Sequence, residues 1–222
     1  YLLNHSNKFL LIAKKLGYPN KKVVFKPRYG RGSRGVLIAD SKKQSFISLV
    51  PERFCGTASV EVLQNICEKK NIIINDYIAM PFYKGNVWDV DALSKKGEVI
   101  NIAARVRQLK NPLWPTSTGH KASADPKILD YVSKITKVFN ISGPSDYDIV
   151  LDDKGRPKVL DAAARFSGSV GVSYVAGVNM MSQLIRVMFN IPIKKYKLED
   201  GMVLRPYITM APILKKNEHD YL

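Results

Sequence analysis

A glycine-rich stretch lies between two short runs of strand-forming residues, and it limits the folds that this chain can adopt. Gly30 to Gly35 reads GRGSRG, with Val23–Phe25 before it and Val36–Ala39 after it. A dinucleotide-binding glycine turn must open a helix, and a Walker loop must end in Gly-Lys-Ser or Gly-Lys-Thr. Neither condition is met, because the residues after Gly35 favour a strand and the stretch contains no lysine. The pattern therefore predicts a glycine flap between antiparallel strands.

A flap of this kind is suited to phosphate binding. Glycine permits positive φ angles, which let successive N–H groups turn toward phosphate oxygens. Lys26 ends the strand that enters the flap, and Arg28, Arg31 and Arg34 lie close to it in the sequence. We predict that Lys26, Arg28 and the flap bind phosphate, and an ordinary hairpin turn is the alternative interpretation.

A second pattern is a predicted hairpin that carries carboxylates. Alternation along a strand places Asp146 and Asp148 on one face, and Asp161 and Arg165 on one face of the following strand. Two facing carboxylates beside a polyphosphate supply the hard oxygens that Mg²⁺ takes from a protein. Arg165 could hold a substrate carboxylate or a transferring phosphoryl group. Solvated acids on an edge hairpin are the alternative.

Three further basic side chains are candidates for the same chemistry. Arg105 and Arg107 alternate on a predicted strand, and His120 lies in a predicted loop over 111–125. The two arginines either face a γ-phosphate or the acceptor substrate, or they form a solvated basic edge. Histidine has the pKa range of a general acid or base, but the sequence identifies no partner for His120.

Composition excludes several classes of protein. The 222 residues are 45% hydrophobic and 24% charged, and their formal net charge is +16. These proportions are typical of globular proteins, and no apolar run approaches the ~18 residues of a membrane helix, so we expect no membrane partner. The charge is spread along the chain, which disfavours nucleic acid as the main partner and suits phosphate-rich small ligands. Cys55 and Cys67 match no disulfide framework or zinc motif, which indicates a reducing compartment, the cytoplasm.

Hydrophobic periodicity predicts an α+β protein with mostly antiparallel sheets. Helices are predicted over 7–16, 58–70, 126–140 and 168–190, and strands over 23–25, 36–39, 72–79, 87–94, 98–107, 146–152 and 158–163. We expect two lobes, 1–79 and 80–222, joined by a hinge near 79–85.

Three passages follow one another in the order lysine, glycine flap, hinge, acidic hairpin and arginine. They are LGYPNKKVVFKPRYGRGSRGV (16–36), MPFYKGNVWDVDAL (80–93) and GPSDYDIVLDDKGRPKVLDAAARFSGSVGVSYVAGVNM (143–180). In this order the chain resembles the ATP-grasp superfamily over about residues 8–190. It is most similar to the branch of carboxylate–amine ligases and the synthetase domains of the carbamoyl phosphate synthetase large subunit.

The resemblance implies an ATP-grasp fold in which two α+β lobes grip ATP, while the α/β domain that precedes this fold in relatives lies outside the sequence. It implies that Lys26 contacts the α- and β-phosphates beneath the flap. The flap residues are Gly30, Gly32, Ser33 and Gly35. It also implies that a hinge holds adenine through backbone groups, and the hinge residues are Met80, Pro81, Phe82 and Tyr83.

The resemblance further implies a reaction. A carboxylate attacks the γ-phosphate of ATP, and an amine then displaces the acyl-phosphate. Asp148 and Asp161 would bind Mg²⁺, Arg165 would assist the acyl-phosphate stage, and Arg105 is the second catalytic candidate. The expected substrates are a small-molecule carboxylate and an amine, and the expected partners are a second copy of the chain or a domain that supplies the N-terminal region.

The sequence departs from the family pattern at two places. Asp161 to Arg165 reads DAAAR, where the family usually has Glu-x-Asn-x-Arg. Val87 stands where the family usually has an acidic residue for the ribose hydroxyls. Because Ala163 offers no metal ligand, a weakened nucleotide-binding module is one alternative to the ligase. A carbamoyl phosphate synthetase-like domain that works with partner domains is the other.

Overall fold

The structure is a computed structural model that describes residues 1–30, 34–42, 46–48, 54–109 and 119–204. The chain divides into two compact units, Tyr1–Tyr83 (unit 1) and Lys84–Leu222 (unit 2). Each unit contains helices and one mostly antiparallel sheet, so the predicted α+β class is confirmed. The division predicted after residue 79 lies inside a strand of unit 1, Tyr77–Pro81.

Unit 1 is built around a sheet with the strand order β1-β6-β2-β3-β5-β4. Its elements are β1 (Leu2–Leu3), a 3₁₀ turn (Ser6–Lys8), α1 (Phe9–Lys15), β2 (Val23–Pro27), β3 (Leu37–Ala39), β4 (Phe46–Ser48), β5 (Cys55–Ala58), α2 (Val60–Lys69) and β6 (Tyr77–Pro81). The α1 helix buries Phe9, Ile12 and Ala13, which share one face at helical spacing. Phe9 stacks on Phe25 of β2 with ring centroids 4.2 Å apart, which joins the helix to the sheet.

Unit 2 contains a sheet with the strand order β11-β10-β7-β8-β9-β12, in which each neighbouring pair is antiparallel. Its elements are β7 (Val87–Lys95), β8 (Glu98–Leu109), β9 (Gly119–Ser123), α3 (Pro126–Val138), β10 (Gly143–Leu151), β11 (Pro157–Ala163), α4 (Val170–Val175), α5 (Met180–Met188) and β12 (Val203–Leu204). The α3 helix begins as predicted, since Asp125 caps it by accepting from the Lys127 N–H and Pro126 is its first residue.

The two faces of the unit 2 sheet have different contents, because successive side chains point to opposite sides of a strand. One face is apolar and packs Val90, Tyr147 and Ile149 against Ile128 and Val132 of α3. The opposite face has a small apolar cluster at one end, which includes Leu93, Ala103 and Met180. The remainder of that second face is polar and carries the candidate site.

One predicted helix is divided in the structure. The sequence favours a single helix over 168–190, but α4 and α5 are separated at Gly177, whose φ is +96°. A Cβ at this position would lie 2.7 Å from the carbonyl oxygen of Lys197. The backbone therefore turns at a residue where only glycine is unstrained, and the Asn179 side chain caps the new helix by accepting from the Ser182 N–H at 2.8 Å.

Strand predictions differ from the structure at three places. The strand predicted over 72–79 begins only at Tyr77, and the loop predicted over 111–125 contains β9, with 111–118 lying outside the described residues. The short strands β1, β4 and β5 were not predicted. Such strands depend on pairing with distant segments, so a local pattern carries little information about them.

Two negative expectations can be compared with the structure. Within the described ranges, no helix is long and apolar enough to cross a membrane. Cys55 and Cys67 are free thiols rather than a disulfide, and burial raises the pKa of the Cys67 thiol to about 11.

Candidate functional site

One face of the unit 2 sheet collects ionisable side chains from five adjacent strands. They are Asp161 on β11, Asp146 and Asp148 on β10, Asp89 and Asp91 on β7, Arg105 and Arg107 on β8, and His120 on β9. The register places Asp148 beside Asp89, and Asp89 beside Arg105. Since paired residues on one face lie roughly 5 Å apart, the sheet concentrates charges that are scattered in the sequence.

Arg105 lies at the centre of this face and is only 1% exposed. Its Nη1 donates to Asp91 Oδ2 at 2.7 Å and to Ser173 Oγ at 3.0 Å. Its Nε and Nη2 donate to Ser169 Oγ at 3.2 and 2.9 Å, and Nη2 also donates to Ser167 Oγ. All five N–H groups of the guanidinium have acceptors. This placement favours a structural role for Arg105 over the catalytic role expected from the sequence.

Asp91 is the main counter-charge of Arg105 and is fully buried. Its Oδ1 accepts from the Ser167 N–H at 2.7 Å, and its Oδ2 accepts from the Ser167 hydroxyl at 3.1 Å. Buried charges are tolerated when they are paired and hydrogen-bonded. Asp91 and Arg105 together fasten the segment before α4 to the sheet.

Arg107 is two residues further along β8 and has different surroundings, since its side chain is 37% exposed. Its Nη2 donates to Asp148 Oδ1 at 2.8 Å and also contacts Asp89 Oδ1. Oδ2 of Asp89 lies 3.0 Å from Nε2 of His120. A continuous series of contacts therefore runs from His120 through Asp89 and Arg107 to Asp148.

His120 was predicted to lie in a loop without a partner, and the structure instead places it on β9, 3% exposed. Its Nδ1 is buried and has no hydrogen-bond partner among the described residues. Burial opposes ionisation of Asp89, but the His120 hydrogen bond and the charges of Arg107 and Arg105 outweigh it and hold the pKa of Asp89 below its usual range. This pair could not be predicted from the sequence, because Asp89 and His120 lie on strands that are joined only through β8.

Asp148 faces Asp161 because the hairpin contains a β-bulge. The pairing runs from Leu151 and Pro157 to Ile149 and Val159, and then continues with Asp148 and Asp161. Leu160 is therefore the extra residue. A regular ladder would have paired Asp148 with Leu160 and turned Asp161 to the apolar face. The bulge places the two predicted magnesium ligands at directly opposite positions on the polar face.

Carboxylates are crowded on this face. Oδ2 of Asp146 accepts from Arg165 Nη1 at 2.8 Å, and its Oδ1 is buried without a hydrogen-bond partner among the described residues. Burial raises the pKa of Asp146 to about 6, and repulsion from Asp91 adds to this effect. Burial also raises the pKa of Asp148 to about 7 despite the attraction of Arg107. The nearby arginines therefore do not fully neutralise the negative charge of these groups.

The donor set fits Mg²⁺, which binds hard oxygens. A divalent cation would give Asp146 Oδ1 a partner, which it lacks among the described residues. It would also favour the ionised form of Asp148, whose pKa is raised. No group of three or more His, Cys, Asp or Glu side chains in the described part of the chain is arranged to hold a metal ion. Magnesium sites commonly take one or two carboxylates and complete the octahedron with phosphates and water. Asp148 and Asp161 would hold the ion in such a site.

The predicted phosphate contacts lie in unit 1. Lys26 is on β2, opposite Ile78 of β6, and is partly buried. Arg28 pairs with Asp76 (Nη1–Oδ1 3.0 Å), and its guanidinium carbon lies 5.3 Å from the Tyr29 ring centroid. Two predicted flap residues, Gly32 and Ser33, lie outside the described residues.

Both ends of the predicted flap are described. Gly30 is exposed and precedes residues 31–33. Gly35 has φ +73° and donates its N–H to the Phe54 carbonyl at 2.6 Å. A Cβ on Gly35 would lie 2.7 Å from both Pro27 Cγ and Tyr77 Oη. Glycine is therefore required where the flap meets the sheet.

The predicted hinge, Met80 to Tyr83, runs from β6 to the end of unit 1. The Phe82 N–H donates to the Lys22 carbonyl at 3.1 Å, which directs the Phe82 backbone toward β2. Backbone groups of successive strand residues point to opposite sides, so the Pro81 carbonyl points away from β2. Adenine recognition by this carbonyl would need one hydrogen bond from the exocyclic amine.

Comparison with known proteins supports the ATP-grasp fold. A family profile described as "ATP-grasp in the biosynthetic pathway with Ter operon" matches residues 74–207, and one described as "ATP-grasp domain" matches residues 10–117. No curated protein matches the sequence significantly.

Three solved structures are similar in fold. The biotin carboxylase domain of 2-oxoglutarate carboxylase from Hydrogenobacter thermophilus, which contains MgADP, ADP and bicarbonate, is 20% identical with a TM-score of 0.61, over 90% of this chain and 42% of that chain. The ADP complex of N5-carboxyaminoimidazole ribonucleotide synthetase is 12% identical with a TM-score of 0.62, over 91% of this chain and 50% of that one. An L-amino acid ligase from Bacillus licheniformis is 22% identical with a TM-score of 0.50, over 84% and 41%.

The predicted ATP-grasp fold is therefore confirmed, and the chain spans half the length of these structures or less. Two of them contain ADP and one of these also contains magnesium, which agrees with the cofactors ATP and Mg²⁺ expected from the sequence.

Proposed function

The chain belongs to the ATP-grasp family, and on that premise we propose that it is an ATP- and Mg²⁺-dependent ligase that joins a carboxylate to an amine through an acyl-phosphate. The observation that supports this most is the carboxylate face around Asp148. Burial raises the pKa of Asp148 to about 7, and Asp161 lies directly opposite on the same face. Carboxylates held in this way gain most from a divalent cation carried with a nucleotide.

Five of the predicted residues have a role in this proposal. Lys26 and Arg28 bind the nucleotide phosphates, and Asp148 and Asp161 hold Mg²⁺. The ion, when bound, neutralises phosphate charge and polarises the phosphoryl group. The Arg165 side chain is 59% exposed and is anchored to Asp146, so it can reach a substrate carboxylate or an acyl-phosphate.

The reaction needs positioning and charge neutralisation rather than a protein nucleophile. A carboxylate oxygen of the substrate attacks the γ-phosphorus, and ADP leaves. The amine then attacks the acyl carbon, inorganic phosphate leaves with the bonding electrons, and the proton that the amine nitrogen loses passes to that phosphate. Carbamoyl phosphate synthetase-like chemistry is the narrower form of this proposal in which partner domains take part.

A nucleotide-binding module without ligase activity is the second candidate. It is favoured by Ala163, which lies opposite Asp146 on the hairpin and offers no oxygen to a metal. The two candidates differ in turnover. A ligase releases ADP over many turnovers when a suitable carboxylate and amine are both present, whereas a module binds ATP and releases no ADP with any pair.

Calorimetric titration of ATP and ADP, with and without Mg²⁺, tests the nucleotide site. We expect Mg²⁺ to strengthen ATP binding by about tenfold or more, and Asp148→Asn to abolish that gain. Lys26→Ala should weaken ATP binding by ~1.5–3 kcal/mol, because one charge-assisted contact is lost.

Two control variants match these changes. Asp130→Asn alters an exposed carboxylate on α3, and Lys14→Ala alters an exposed lysine on α1. Both should bind like the unmodified chain. Mg²⁺-independent binding, or Asp148→Asn that behaves like Asp130→Asn, would contradict the proposed metal site.

A further inference from the structure

Two arginines on the same face of β8 have different freedom to move. Arg105 is buried, and all five of its N–H groups have acceptors. The Arg107 side chain is 37% exposed, and a single nitrogen, Nη2, serves both Asp89 and Asp148. Because one donor group is shared by two carboxylates, Arg107 can give up one of them and remain tethered by the other.

Asp89 is the fixed end of this tether. It is 2% exposed, and its Oδ2 accepts from Ser169 Oγ at 3.2 Å and lies 3.0 Å from His120 Nε2. Both contacts use Oδ2, and the other carboxylate oxygen, Oδ1, forms the ion pair with Arg107. Oδ1 has no hydrogen-bond partner among the described residues, so the attraction between opposite charges in a buried setting holds Arg107 to it.

Asp148 is the exchangeable end. Its side chain is 28% exposed, and it is one of the two carboxylates that the bulge aligns for a metal. Arg107 donates to Oδ1 of this same carboxylate. A guanidinium and a divalent cation on one carboxylate repel each other, so occupation by one disfavours the other.

From this geometry we propose that Arg107 and Mg²⁺ exchange on Asp148. Without metal, Arg107 pairs with Asp148. When the metal enters with the nucleotide, Arg107 leaves Asp148, stays tethered to Asp89, and turns its guanidinium to the phosphates. Arg107 is then a phosphate-binding residue, and Asp89 and His120 are the positioning residues behind it. The inference deepens the proposed function and rests on it for the identity of the phosphates.

The competition between Arg107 and a metal ion for Asp148 can be measured without nucleotide. Mn²⁺ serves as the probe, and electron paramagnetic resonance counts the free ion during titration. Arg107→Gln should bind Mn²⁺ about tenfold more tightly than the unmodified chain, because the competing charge on Asp148 is gone. Unchanged or weaker binding would overturn the proposal.

A matched control separates this effect from net charge. Arg156 lies in the turn of the β10–β11 hairpin that carries Asp148. Its side chain is 62% exposed and pairs with Asp152 (Nη2–Oδ2 2.8 Å). Arg156→Gln removes the same charge and should leave Mn²⁺ affinity near that of the unmodified chain. An equal gain in both variants would reduce the effect to general electrostatics and overturn the exchange.

A double variant assigns the gain to one carboxylate. In Arg107→Gln/Asp148→Asn, Mn²⁺ affinity should fall to that of Asp148→Asn alone, since the gain acts through Asp148. If Arg107→Gln does not fold, Arg107→Lys replaces it. Lysine keeps the positive charge but lacks the guanidinium geometry that holds Arg107 on Asp148, so we expect a smaller gain of the same sign, and no gain would overturn the proposal.

The proposed contact between Arg107 and the phosphates predicts a change in affinity of the opposite sign. Arg107→Gln should weaken MgATP binding several-fold while it strengthens Mn²⁺ binding in the absence of nucleotide. A purely structural arginine would weaken both. If the unmodified chain binds no ATP under any metal condition, the proposed function fails, and the Mn²⁺ titration still tests the competition for Asp148 separately.

Discussion

Single residues decide how well the carboxylate face can hold a metal. Ala163 lies opposite Asp146, so Ala163→Asn adds an amide oxygen to that face. We expect it to strengthen Mg²⁺-dependent ATP binding by roughly threefold to tenfold, because amide oxygens are magnesium and calcium ligands. Calorimetry with and without Mg²⁺ measures the change.

The neighbouring residue supplies the control for this prediction. Ala162 is exposed and pairs with Tyr147, whose side chain belongs to the opposite, apolar face. Ala162→Asn makes the same substitution away from the carboxylates and should leave Mg²⁺ dependence unchanged. An equal response in both variants would show that Ala163 does not face the metal.

The sequence predicted some residues of this face and not others. Asp148 and Asp161 could be named from the sequence because they flank a turn. That they face each other could not be predicted, because a regular ladder would put them on opposite faces and only the bulge at Leu160 brings them together. The partnership of Asp89 with His120 could not be found, because it depends on two strands that are joined only through β8. Arg105 and Arg107 are equivalent by alternation, and only burial distinguishes them.

At the scale of elements, β10 makes stability depend on pH. The pKa of Asp148 rises from 3.8 to about 7 and that of Asp146 to about 6. Between these values the folded chain binds more protons than the unfolded chain, so the free energy of unfolding falls as pH rises. The contribution is complete below about 3.8 and is lost as pH passes through about 7. Asp148→Asn should reduce this slope in urea unfolding with EDTA.

A carboxylate in the hairpin turn provides a control of opposite sign. Backbone hydrogen bonds from Arg156 and Lys154 lower the pKa of Asp152. Its contribution is therefore present above its unfolded pKa and is lost as pH falls. Asp152→Asn should leave the decline above pH 4 intact. A slope that is identical in Asp148→Asn and the unmodified chain would contradict the raised pKa of Asp148.

Helices and strands could be predicted where a local sequence signal was enough to define them. The α3 helix follows from Asp125, Pro126 and a regular apolar face. The division between α4 and α5 was missed because the glycine that causes it stands in an otherwise helical pattern, and the contact that requires it comes from Lys197. Short strands such as β9 were missed for a similar reason, since their partners lie elsewhere in the sequence.

For the whole molecule, a net charge of +16 predicts two kinds of salt dependence. Any binding of generic RNA or DNA should fall steeply with salt, because it comes from counterion release. ATP binding that uses a built site should largely survive about 0.3 M salt. Fluorescence anisotropy of labelled RNA, beside ATP calorimetry, measures both, and tight RNA binding at high salt would favour a nucleic-acid function.

The bulge at Leu160 has a consequence for how this hairpin can evolve. Straightening the ladder by one position would turn Asp161 toward α3 and bring Leu160 to the polar face, while every residue of the chain stayed the same. Whether Asp161 lies on the polar face therefore depends on which of two registers β11 adopts against β10. A lineage could lose this site through a slip of β11 by one residue beyond Val159, without any active-site substitution. A one-residue deletion in the turn would instead bring the turn-proximal pairs into the register of Asp148 and Asp161, which removes the bulge and keeps both carboxylates on the polar face.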